Sequence, residues 1–121
     1  MGRDAKGLYT YEYGGWLSEI LPPAGKAPPG LRGEYAARRE IVRMFTSVEN
    51  TISRQGAILR GFRGLSKDSR REDNARARLF QARQAHREMS AVVGAGGDWR
   101  ARRDLIRYVY TARRAEISGM R

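Results

Sequence analysis

With one histidine and no cysteine, this chain offers no catalytic triad, and no pair of its carboxylates stands out. A nucleophilic site needs a hydroxyl or thiol beside a base, and a zinc site needs three or four imidazole, thiolate or carboxylate ligands. His86 has no Asp, Glu or Cys at ligand spacing, so a packed structural histidine is expected. Asp68, Glu72 and Asp73 cluster where a helix should begin, and acids there favour the helix dipole without doing chemistry. The run GAGG, Gly94 to Gly97, lacks the preceding strand and the following Lys-Ser/Thr of a phosphate loop, and it reads as a helix break. The expectation is therefore no enzyme, with no cofactor and no metal.

Arginine is the abundant chemical group. The 121 residues carry 24 basic and 13 acidic side chains, for a net charge of +11, and 21 of the 24 cations are arginine. Guanidinium forks pair bidentately with phosphates and carboxylates. The basicity is uneven. Residues 1–33 set Arg3, Lys6, Lys26 and Arg32 against Asp4, Glu12 and Glu19, whereas residues 34–121 hold 20 basic and 10 acidic side chains. A partner of the later segment should be acidic: nucleic acid, an anionic membrane face or an acidic protein. A GC-rich coding bias would produce the same composition without a partner. No apolar run reaches the ~20 residues of a membrane span. The start has neither a secretory signal nor an Arg/Ser-rich transit peptide, so import into an organelle would need an internal or already removed signal.

These arginines must be positioned by helices. Residues 1–33 form an expected extended arm, rich in aromatics and proline, in which Trp16 to Leu21 have room for one helical turn before Pro22 and Pro23. An arm with this many aromatic rings should lie along a surface, its own or a partner's. Residues 34–121 form the expected basic helical domain. Ile41, Phe45, Val48, Ile52, Leu59 and Phe62 recur at helical spacing, with Gln55 at the missing position. They predict one helix from about Glu34 to near Gly64, or two helices broken between Thr46 and Gly56. Ser69 and Glu72 make a capping-box pattern, and a helix should run from there to about Val93. Its seam is Ala75, Leu79, Ala82, His86, Met89 and Val93, whose alanines admit a close neighbour. Asp98 can cap a last helix. The fold class is all-α, with three to four amphipathic helices in a small bundle.

On the last helix, Trp99, Ile106, Tyr110 and Ile117 share a face flanked by Leu105 and Val109. Arg100, Arg103, Arg107 and Arg114 form a ridge beside it. The apolar stripe suits core or helix docking better than base stacking, so Trp99 and Tyr110, with Trp16 from the arm, are candidate contacts for neighbouring proteins. The ridge leaves RNA as an alternative partner, with those four arginines on phosphates, although no RRM, KH or zinc signature accompanies it. A DNA-binding protein is a third possibility.

The segment EYAARREIVRMFTSVENTISRQGAILRGFR resembles the LYR-motif family of small mitochondrial proteins. Tyr35 matches the motif tyrosine and Phe45 the downstream phenylalanine, while Ile58, Leu59, Arg60, Phe62 and Arg63 match the second-helix stretch. ARLFQARQAHREM looks like the closing helix, through Leu79, Phe80 and Ala82. Glu34 stands in place of the motif leucine and Ala36 in place of its arginine. The resemblance covers residues 34–89. It implies a non-catalytic accessory subunit of a respiratory-chain complex, complex I above all, on the matrix side of mitochondria. It also implies an acidic acyl carrier protein as partner, with Arg38, Arg39 and Arg43 as contacts, and makes Tyr35 and Phe45 candidate partner-binding residues. The alternative assembly is a mitochondrial ribosome. A core thin in large side chains should gain stability from its neighbours.

Overall fold

The apolar spacing from Ile41 to Leu59 folds as one uninterrupted helix. The structure, a computed structural model, describes residues 17–61 and 69–119. Helix α1 is a single turn, Leu17–Ile20, and α2 spans Arg32–Gly61. Helix α3 is Ser69–Ala95 and α4 is Trp99–Ser118. No strand occurs among the described residues.

Thirty residues make α2 about 45 Å long. Gly56 does not break it. Ile52 and Gln55 before it are buried and Leu59 after it packs against the core, so packing carries the helix through a residue of low propensity. Phe62 and Gly64, in the expected last turn, lie outside the described residues.

Helix α3 starts at Ser69, where the capping pattern places it, and the Glu72 carboxylate pairs with Arg76 one turn on. The thin seam is the one observed: Ala75, Leu79, Ala82, His86 and Met89 are buried and Val93 is half-buried. The GAGG run ends the helix because Gly96 and Gly97 take φ of 78° and 106°, a region that favours glycine. Asp98 then accepts from the Ala101 amide at 3.0 Å and caps α4.

Each of the three long helices packs on the other two, giving a small all-α bundle. Phe45, Ile41, Met89 and Ile106 are fully buried at its centre. Burial of each contributes about 1.5–3 kcal/mol, and the alanines of α3 let the neighbouring helices close over them. The described part of the arm lies on this bundle. Ile20 is buried in the same cluster, just before Pro22 ends the helical turn. Leu21, the next residue, is exposed instead.

Candidate functional site

Most of the aromatic side chains expected to meet a partner are held inside the chain. Phe45 is completely buried and meets the His86 ring edge-on, centroids 5.3 Å apart. Tyr35 is buried, with the Arg39 guanidinium 5.8 Å from its ring. Tyr110 donates from its hydroxyl to Ser47 Oγ at 2.9 Å and accepts from Arg114 at 2.8 Å. Trp16 lies outside the described residues.

Trp99 is the hub of a clamp that spacing alone does not reveal. The Arg102 guanidinium stacks 3.7 Å from its ring and Arg38 lies 5.0 Å away. Arg102 donates to the carbonyls of Val93, in the last turn of α3, and Gly97, just beyond it, at 2.9 and 2.5 Å, while the Val93 carbonyl also accepts from the Gly96 amide at 3.2 Å. Arg38 treats α1 in the same way. Its Nε donates to the Ile20 carbonyl at 2.5 Å, and its Nη2 to those of Glu19 and Leu21 at 2.9 and 3.4 Å. Positive charge at a helix C-terminus is favourable in both places.

The arginine ridge of α4 is largely engaged within the bundle. Glu40 of α2 accepts from Arg107 at 2.6 and 2.9 Å and pairs with Arg103 at 3.6 Å. Arg113, which is not part of the ridge, grips Glu88 and Gln81 of α3. The hydrogen bond that Arg113 donates to Glu88 raises its pKa, with burial acting in the opposite direction. Arg100 stays exposed beside Gly33, where a Cβ would meet its guanidinium at 2.8 Å.

Glu49, the remaining acid in the middle of α2, is buried against His86, with Oε2 and Nε2 3.2 Å apart. The histidine is therefore packed and partnered. A sequence scan for ligand spacing looks within one helix and does not find a carboxylate 37 positions away. Among the described residues no group of three or more His, Cys, Asp or Glu side chains comes together to hold a metal. Nor is any described helix long and apolar enough to cross a membrane.

Among the described residues, two of the exposed helix faces have a uniform chemistry. On α4, Ala101, Leu105, Tyr108 and Ala112 are all exposed, Leu105 at 57% and Tyr108 at 76%. Their 4-3-4 spacing makes a second apolar stripe, turned away from the one that holds Ile106. Leu105 belongs to this outer stripe, not to the edge of the inner one. Consecutive residues on a helix diverge by about 100°, which takes Leu105 off the face of Ile106. The spacing was present in the sequence but was masked by the stronger Trp99–Ile117 pattern.

On α2 the exposed positions are Arg32, Ala36, Arg39, Arg43, Thr46, Asn50, Ser53, Arg54, Ala57, Arg60 and Gly61. None is acidic, and none carries an apolar side chain larger than alanine. Two shallow depressions mark this side. One is lined by Lys26, Arg32, Tyr35 and Arg39, the other by Val42, Arg43, Ser47 and Arg54.

Comparison of the chain with family models, curated proteins and solved structures gives no match.

Proposed function

We propose that the chain is a non-catalytic structural subunit of a large mitochondrial assembly, docked on a helix of a neighbouring subunit through the outer face of α4. The observation that carries this reading is the exposed stripe Ala101, Leu105, Tyr108 and Ala112. Its spacing is that of a helix–helix seam, its alanines admit a close backbone, and Leu105 and Tyr108 supply anchors. A second copy of the chain is a poor occupant, because two molecules of charge +11 repel. The polar groups fit a structural role as well. Glu49, Glu40 and Glu88 are each tied to a cation or imidazole of another helix.

The resemblance to LYR-motif proteins makes a respiratory-chain complex the assembly of first choice. A ribonucleoprotein is the second reading, favoured by the arginine face of α2. The test is native electrophoresis of mitochondria from cells expressing tagged protein. The wild-type chain should migrate with a respiratory complex identified by its in-gel activity. Leu105→Asp with Tyr108→Asp should release it as a monomer that keeps its helical circular dichroism. A wild-type chain that runs as a free monomer would refute the proposal, and an RNase-sensitive particle would select the second assembly.

A further inference from the structure

Eleven exposed positions on a 30-residue helix, five of them arginine and none acidic, form a surface with one dominant property. The face is basic because the acids of α2 point elsewhere. Glu40 is taken up by Arg103 and Arg107, Glu49 is buried on His86, and Glu34 pairs with Arg38. Among the described residues, Arg32, Arg39, Arg43, Arg54 and Arg60 make no ion pair. They span about 42 Å along the helix axis, at 1.5 Å per residue. Lys26 of the arm lines the same depression as Arg32 and Arg39.

We infer that this face of α2 binds the phosphodiester backbone of a nucleic acid. An acidic protein is the competing occupant of a basic surface, and the composition between the arginines decides against it. Protein interfaces are anchored by buried aromatic or aliphatic side chains, with charge depleted at the centre. This face offers no such anchor, since its uncharged positions are Ala, Thr, Asn, Ser and Gly. Nucleic-acid interfaces are more polar and far more cationic. Small side chains between the guanidinium groups let the helix lie close to a strand while the long arginine stems reach phosphates on both sides. The inference assigns a different surface from the α4 ridge, where Glu40 holds two of the four arginines. It does not depend on the docking proposed for α4. Where the phosphates are those of RNA, the assembly is the second of the two named above, a ribonucleoprotein.

The experiment measures binding of the full chain to fluorescent duplex RNA, duplex DNA and single-stranded RNA across a salt series. The tightest arm identifies the source of the phosphates. On a duplex, the log–log salt slope should be about −4.5, from roughly 0.9 for each of five phosphates neutralised. Arg39→Gln, Arg43→Gln and Arg54→Gln together should weaken binding at least tenfold at about 100 mM salt and reduce the slope by about three. A control of equal net charge, Arg70→Gln, Arg83→Gln and Arg87→Gln on the exposed side of α3, should change affinity by about twofold at most, all variants keeping the wild-type melting curve. Equal losses in both variants would mean that net charge alone binds, and the proposal would fall. It would also fall if polyglutamate of matched charge competed as well as nucleic acid does.

Discussion

His86 Nε2 stands 3.2 Å from Glu49 Oε2, and this contact joins α3 to α2 where both side chains are almost wholly removed from water. A buried polar pair of this kind is expensive to split and cheap to replace as a whole. Removing one partner leaves the other desolvated and unsatisfied, at a cost of about 1–3 kcal/mol. Glu49→Ala should therefore lower the melting temperature by several degrees, since about 1 kcal/mol corresponds to roughly 4 °C in a domain of this size. Glu49→Leu with His86→Leu should recover most of that loss, because apolar replacement of both members is often neutral. A double variant no better than Glu49→Ala in thermal circular dichroism would show that the contact is not what the single substitution disrupts.

Arg38 anchors the arm, and Trp99 supports Arg38. Three backbone carbonyls, those of Glu19, Ile20 and Leu21, accept from one guanidinium. Arg38→Lys keeps the charge but replaces a planar fork by a point donor, so it should behave more like Arg38→Ala than like wild type. Limited proteolysis is the direct readout. Both variants should be cut between residues 21 and 31 much faster than wild type, while global stability falls by only about 1 kcal/mol. Trp99→Leu should produce the same cleavage together with a larger loss of stability, because it removes the surface on which Arg102 is stacked as well. Wild-type protection in Arg38→Ala would mean that Ile20 burial alone holds the arm.

Two glycines should respond in opposite directions to the same substitution. Gly56 lies inside α2, and a Cβ there would meet only the Arg60 guanidinium at an ordinary 3.6 Å. Gly56→Ala should raise stability by about 0.5–1 kcal/mol through the unfolded chain. Gly97 has open space around it, but its φ of 106° is hostile to any Cβ. Gly97→Ala should cost at least about 1 kcal/mol and disturb the Arg102 bond to the Gly97 carbonyl. Equal shifts in the two denaturant midpoints would contradict this assignment.

The elements of this bundle were legible because they depend on local periodicity. The α3 seam, the single turn before Pro22, the GAGG break and the Asp98 cap all follow from residues within a few positions of one another. The continuity of α2 was left open, because Gly56 argues for a break and only the burial of Ile52 and Gln55 from outside the helix overrides it. The surfaces were harder to read. Whether an arginine is available depends on a carboxylate far along the chain, as Arg107 and Glu40 show, and helical spacing does not report such a partner. The inner stripe of α4 was visible, while the outer one, with Leu105 on it, was hidden behind a pattern containing a tryptophan.

The grip of Arg38 has an evolutionary corollary. It holds main-chain oxygens, which every amino acid supplies, and so places no demand on the side chains at positions 19 and 21. Glu19 and Leu21 are both exposed and are free to drift over generations. Ile20 is wedged into the interior and is not. Orthologues should thus vary widely around one invariant aliphatic, and Arg38 should persist wherever that aliphatic does.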